Sequence, residues 1–291
     1  MSKEQKRKDV KRRSLGQEAL ERLLRNKLAM LGLVILVTVI VLCALAGVIC
    51  PEGVNAQDPT KTFIAPCKEY IFGTDNLGRS LLARVLYGGQ VSIMIAFVAT
   101  FISAILGVIL GTVSAYYGGL VDDIIMRIMD VFSAIPNLLL AIALAAILGS
   151  GIFNCMLAVG VAAVPAFART VRAPILAVMN EQYIEVARSI DAKDRRIMFI
   201  HVLPNVLSPI IVQATMNLAQ AILMAASLSF LGLGVQAPNA EWGALLSASR
   251  QYMRNYAYLT YIPGLAIASV VLSMNLFGDG LRDALDPRLK Y

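Results

Sequence analysis

Residues 181–204 read EQYIEVARSIDAKDRRIMFIHVLP, and this stretch decides the architecture. Eight of its 24 positions carry a formal charge, and it holds the chain's only histidine, His201. Long runs with almost no charge lie on either side. A charged helical segment held between apolar spans is a handle presented outside a bilayer.

The wider composition agrees. Of 291 residues, 58% are hydrophobic and 15% charged, with mean hydropathy +0.69, whereas an average domain carries roughly 25% charge. About 20 consecutive apolar residues cross the ~30 Å hydrocarbon core as a helix. Six runs qualify: 28–49, 91–115, 131–148, 152–168, 206–233 and 259–277. Gly149 to Gly151 alone separates the third from the fourth, and Tyr116 to Asp123 reads as a short cytoplasmic turn. The predicted fold is an all-α membrane protein with six transmembrane helices.

Basic residues orient it. Residues 1–27 hold ten Lys/Arg against four Asp/Glu, which puts the N-terminus in the cytoplasm. Six spans return the C-terminus, with Arg282, Arg288 and Lys290, to the same side. Six basic residues between Arg169 and Pro204 make the 181–204 stretch cytoplasmic as well. The 234–258 segment, whose basic residues are Arg250 and Arg254, then lies outside. The net charge of +7 reads as a topology signal rather than a nucleic-acid footprint, and the basic arm can touch anionic lipid. Ala44-Leu45-Ala46 has the look of a cleavage site. The 19 uncharged residues from Leu28 to Ala46 are more than the roughly 7–15 of a signal-peptide core, so an uncleaved first span is expected.

The chain thus divides into a basic arm (1–27), helical or disordered, a first span (28–49), an extracytoplasmic loop (50–87), a transmembrane core (88–279) and a cytoplasmic tail (280–291). Cys43 and Cys155 fall within spans as buried apolar residues. Cys50 and Cys67 fall in the outer loop, on the oxidising side. They form either a disulfide closing that loop or two free thiols.

Within the charged stretch, Asn180 is placed to cap a first helix, with Glu181 in the first turn, where the helix dipole favours an acid. Tyr183, Ala187 and Ile190 recur at i, i+4 and i+7 as an apolar stripe. Asp191-Ala192 interrupts the pattern, Asp194 can cap a second helix running to Leu203, and Pro204 opens the next span. An ordinary amphipathic loop lying on the membrane would show the same spacing.

Glu185-Val186-Ala187, then Asp191, then Leu203-Pro204 resemble the EAA loop of ABC-type importer permeases. Phe72 to Arg79 (FGTDNLGR), Ser229 to Gly234 (SFLGLG), Glu241 to Gly243 (EWG) and Gly278 to Pro287 (GDGLRDALDP) are similar to motifs of the oligopeptide/dipeptide/nickel group, in its C-type permease subunit. The five motifs follow in order between Phe72 and Pro287, and the resemblance spans nearly the whole chain beyond the arm. The resemblance implies a type I ABC importer permease fold in a bacterial cytoplasmic (inner) membrane. It implies that the loop docks in a groove of a cytoplasmic ATPase through Tyr183, Glu185, Ala187, Arg188, Asp191, Leu203 and Pro204, as helix-in-groove contacts do. It also implies a second permease, two ATPase subunits and an extracytoplasmic substrate-binding protein as partners. The family usually has glycine at position 191 and alanine at 186. Aspartate visits positive φ more readily than most residues, so the turn can survive at roughly 1–2 kcal/mol of strain.

The implied function is ATP-driven import of di- or oligopeptides, with this chain forming half the path. The same machine carrying nickel or a metal chelate is the alternative. No glycine is followed by lysine, so no G-x4-G-K-[ST] phosphate loop exists. The chain is then no enzyme and needs no cofactor of its own, since ATP and Mg²⁺ bind the partner ATPases. Asp, Glu, Lys and Arg are missing from the third to fifth spans, which disfavours a proton-coupled carrier. A membrane-embedded enzyme is disfavoured by the lack of H-E-x-x-H and G-x-S-x-G motifs. His201 reads as an interface histidine, and no metal-ligand set is evident.

Two polar patterns remain. Gln213, Asn217, Gln220, Met224 and Ser227 share one face of the fifth span, either lining a watery translocation path or gluing helices together. Thr100, Ser103, Gly107, Gly111 and Ser114 form a small-residue stripe suited to close helix packing. Trp242 reads as an interface anchor, or as a contact for an external binding protein.

Overall fold

The computed structural model describes residues 15–285. Arm residues 1–14 and tail residues 286–291, with Asp286-Pro287, Arg288 and Lys290, lie outside the described residues. Helix α1 (Leu15–Arg25) ends at Asn26. The Asn26 side chain accepts from the Leu28 and Ala29 amides and so starts α2 (Lys27–Ala44), which continues past Leu45 as α3 (Ala46–Ile49). Helix α4 (Leu81–Tyr117) begins where the Ser80 hydroxyl accepts from the Ala83 amide. Its 37 residues extend about 55 Å at 1.5 Å per residue. Residues 81–87, expected in the outer loop, are therefore its first turns.

Gly118 alone separates α4 from α5 (Gly119–Ser133), so the turn expected over 116–123 shrinks to one residue. The span expected over 131–148 forms part of a bent pair. Helices α5 and α6 (Asn137–Leu148) meet at 88°. Pro136 offers no amide and disfavours helical geometry at Ile135, so the helix breaks there. Helix α7 (Ile152–Met179) runs through Pro165 and Pro174 well past its expected end at 168. The charged stretch folds as α8 (Gln182–Ser189) and α9 (Asp194–Arg196). A π-helical turn at Ile197–Val202 and a 3₁₀ turn at Leu203–Val206 then lead into α10 (Leu207–Phe230). Helices α11 (Trp242–Ser249) and α12 (Tyr258–Leu285) follow. By length and apolarity five helical segments can cross a membrane, or six if the bent pair counts as one. Among the described residues the only strand-type pairing is the isolated Thr74–Ser80 bridge.

Helices α4 and α7 pack tightly against one another. A Cβ on Gly107 would sit 2.7 Å from Phe167 Cβ, and one on Gly111 would sit 2.5 Å from the Ala168 carbonyl oxygen. The small-residue stripe is thus a packing surface, as expected. Helix α10 closes the core with Ala219, Ile222 and Ala225, and α12 with Val270 and Met274. Helix α2 leans on α12 but leaves Leu31, Val34, Val37 and Val41 exposed. Apolar surface of that extent belongs against another apolar phase.

The 50–80 segment is ordered by its own polar side chains. Thr74 Oγ1 donates to the Lys61 carbonyl and accepts from the Ile64 amide. Asp75 accepts from the Leu77 and Arg79 amides, and from Arg79 Nε at 2.6 Å. Phe63 stacks on Tyr256 with centroids 4.2 Å apart, and the Tyr258 hydroxyl donates to the Thr74 carbonyl. Cys50 and Cys67 are not bonded to one another in the structure. Cys50 is buried beside Ala83 and Leu86, where burial and the Glu52 carboxylate push its thiol above the ordinary range. Cys67 lies exposed and accepts from the Tyr70 amide.

Trp242 requires a correction. It is 1% exposed, not an interface anchor or an external contact. Helix α11 folds back into the bundle because Gly243 lets it approach α10: a Cβ there would lie 2.3 Å from the Ala226 carbonyl oxygen. Trp242 Nε1 then donates to the Val85 carbonyl of α4. The buried Glu241 carboxylate accepts from Ser92 Oγ and from the Ala244 amide, each at 2.9 Å, while Ser92 Oγ accepts from the Trp242 amide. The EWG motif is a structural clamp between α4 and α11.

Candidate coupling site

The cytoplasm-predicted end of the bundle is held by a buried apolar cluster: Phe167, Val171 and Ile175 of α7, Ile184 and Ala187 of α8, and Ile197, Val202 and Val206 beyond them. This cluster fixes the rotation of α8. Ile184 is fully buried and Ala187 nearly so, while Tyr183, Glu185, Val186, Arg188 and Ile190 face outward. The expected stripe of Tyr183, Ala187 and Ile190 is corrected accordingly. Ala187 packs inward, and the outward apolar set is Tyr183, Val186 and Ile190. Spacing could not choose between the two faces, because both carry apolar residues at helical intervals.

Both expected caps are also corrected. Asn180 Nδ2 donates to the Leu176 carbonyl, so Asn180 ends α7, and Glu181 occupies the α8 cap position without a side-chain bond. Asp194 is the first residue of α9, and its carboxylate accepts from the Tyr116 hydroxyl at 2.6 Å. Asp191, by contrast, does what its position requires. Its φ is 56°, and its amide donates to the Arg188 carbonyl while the Ala192 amide reaches back to Ala187. That bonding pattern is a Schellman C-cap with aspartate at the usual glycine position. Leu203 is half-buried against the cluster and Pro204 is exposed at the entry to α10.

Sequence reasoning missed what stands behind this loop. Tyr116, near the end of α4, is buried beneath both arms. The Arg188 guanidinium lies 5.6 Å from its ring centroid, and Asp194 takes its hydroxyl. Beside it, Asp122 of α5 binds both Ser114 of α4 and the Arg172 guanidinium of α7, with Nε at 2.7 Å. Asp130 pairs with Arg169 at 2.7 Å on a more open face. Paired Asp and Arg residues just outside apolar runs were the available signal.

The polar face of α10 is divided. Asn217 Nδ2 donates to Ser103 Oγ at 2.9 Å, and Ser227 Oγ to the Leu223 carbonyl of its own helix. Asn217 therefore joins α10 to α4. Gln213 is half-buried and Gln220 exposed, and no hydrogen bond to either side chain occurs among the described residues.

The profile described as "binding-protein-dependent transport system inner membrane component" matches residues 103–291. That described as "N-terminal TM domain of oligopeptide transport permease C" matches residues 14–66. The dipeptide transport system permease protein DppC of Alkalihalophilus pseudofirmus is 43% identical over 94% of this chain and 90% of its own length. The DppC protein of Haemophilus influenzae is 41% identical over 91% and 92%. The glutathione transport system permease protein GsiD of Escherichia coli is 44% identical over 96% and 92%. A chain of the inward-facing MetNI methionine ABC transporter superposes with TM-score 0.58 at 18% identity, covering 70% of this chain and 96% of that one, which bears on the fold.

Proposed function

The chain belongs to the family of binding-protein-dependent transport system inner membrane components, and from that premise we propose that it is the C-type permease subunit of an importer for di- and oligopeptides. It crosses a bacterial inner membrane six times with both termini in the cytoplasm. It pairs with a second permease, two ATPase subunits that bind ATP and Mg²⁺, and an extracytoplasmic binding protein. Residues 181–204 couple it to the ATPases. Glu185, Arg188, Tyr183, Val186 and Ile190 form the docking face, Ala187, Leu203 and Pro204 hold it in place, and Asp191 turns the chain between its arms. Gln213 and Gln220 line the path, with Asn217 and Ser227 on the same helix face.

The observation that supports coupling is the outward face of α8. Three apolar side chains at i, i+3 and i+7 stand exposed between charged residues, on a helix whose opposite face is locked into the bundle. Such a face fits a groove in another protein. The peptide cargo is supported by the relatives, named for dipeptides and for glutathione, itself a tripeptide. None of the relatives named above is named for nickel. The test is ATP hydrolysis by the complete complex in proteoliposomes. Binding protein loaded with a dipeptide should stimulate hydrolysis severalfold, and nickel should not. Stimulation by nickel alone would overturn the cargo assignment.

A further inference from the structure

The buried side chain of Tyr116, on α4, makes a polar contact with each arm of the 181–204 loop. Its ring lies under the Arg188 guanidinium of α8, and its hydroxyl donates to Asp194 at the start of α9. Around it the contact between loop and bundle is apolar, through Ile184, Ala187, Ile197 and Val202. Apolar packing resists separation but is non-directional. The hydrogen bond and the cation–ring contact fix direction.

Helix α4 carries a second polar attachment 24 residues away. There Ser92 bonds the buried Glu241 carboxylate and the Trp242 amide. At 1.5 Å per residue the two attachments stand about 36 Å apart along one unbroken helix. No proline interrupts α4, so a displacement at one end is delivered to the other with little loss to bending.

We propose that Tyr116 is a positioning residue for coupled transport, tying both arms of the loop to α4 so that movement of the loop becomes movement of α4 and of the α11 segment clamped to it. The inference rests on the coupling role proposed above. Tyr116 touches neither ATPase nor cargo and acts through Arg188 and Asp194. The tyrosine hydroxyl is essential to the tie, and the aspartate serves as an acceptor rather than as a charge.

The test uses the complete complex in proteoliposomes with Tyr116→Phe, Asp194→Ala, Asp194→Asn and the Phe/Ala double variant. The readouts are co-purification of the ATPase subunits, basal ATP hydrolysis, and hydrolysis stimulated by peptide-loaded binding protein. Tyr116→Phe should assemble and keep basal hydrolysis. Its ratio of stimulated to basal rate should fall about fivefold, the shift carried by one lost hydrogen bond. Asp194→Ala should fall equally, the double variant no further, and Asp194→Asn should recover the ratio because its amide oxygen still accepts. Overturning results are an unchanged ratio in Tyr116→Phe, multiplied losses in the double variant, or loss of assembly, which would make the role merely structural. If the unsubstituted complex shows no stimulation at all, the function proposed above fails instead.

Discussion

Replacing Asp191 with glycine should tighten the loop rather than break it. Asp191 holds φ at 56°, a region that costs an L-residue roughly 1–2 kcal/mol and aspartate somewhat less. Its carboxylate also stands at the negative end of α8, which costs about 0.3–1 kcal/mol at a surface. Glycine removes both terms but adds freedom to the unfolded chain worth about 0.4–1 kcal/mol. Taking the middle of each range, the balance is a gain of about 1 kcal/mol in local closure, or about fivefold in the opening equilibrium. Valine at 191 moves the other way, because a β-branched side chain is a genuine outlier at positive φ. It should open the turn and release the Ala192 amide from the Ala187 carbonyl, a bond of 3.1 Å. Amide hydrogen exchange over residues 182–196 reads this directly, with dipeptide uptake measured in parallel. Asp191→Gly should exchange at the same rate or more slowly and still transport, whereas Asp191→Val should exchange at least tenfold faster, the effect of about 1.4 kcal/mol. Faster exchange in the glycine variant, or no change in the valine variant, would refute the left-handed C-cap account.

Three other outcomes follow from the geometry. Gly243→Ala forces a Cβ to 2.3 Å from the Ala226 carbonyl and should cost about 1–3 kcal/mol by overpacking, seen as a lower Tm of the purified protein. Glu241→Leu strips acceptors from the Ser92 hydroxyl and the Ala244 amide, at about 1–3 kcal/mol per orphaned group. Glu241→Gln, which keeps an acceptor oxygen, should unfold near the unsubstituted protein in the same melt. In unreduced folded protein a thiol reagent should label exposed Cys67, while buried Cys50 reacts only after denaturation; failure of Cys67 to react until a reductant is added would contradict the free-thiol state.

The transmembrane segments were legible in the sequence because uncharged runs of this length have no other economical home, and their ends shifted mainly where helices outrun the bilayer. Helix α4 reaches Leu81 and α7 reaches Met179 on those terms. The Gly107/Gly111 stripe was legible because only small residues admit such approach. What stayed hidden was which apolar face meets protein. Lipid tails are as apolar as leucine, so Tyr183 and Ile184 look alike until α7 buries one of them. Trp242 misled for a related reason: its usual place at a membrane surface gave no hint that Gly243 would let α11 fold inward. Tyr116 was invisible because its partners lie 72 and 78 positions further along the chain. The positive φ at Asp191, by contrast, is a local property, expected from the family's glycine at that place and from aspartate's tolerance of the region.

The central claim is that this chain takes force from a partner's ATP cycle through the outward face of α8. Glu185 stands exposed in the middle of that face and makes no side-chain contact that holds the bundle together. The most direct test is uptake of a labelled dipeptide by cells whose only C-type permease carries Glu185→Arg, with the ATPase subunits unchanged. The account predicts uptake at background while the variant remains assembled in the membrane at normal levels. Uptake at the unsubstituted rate would contradict it.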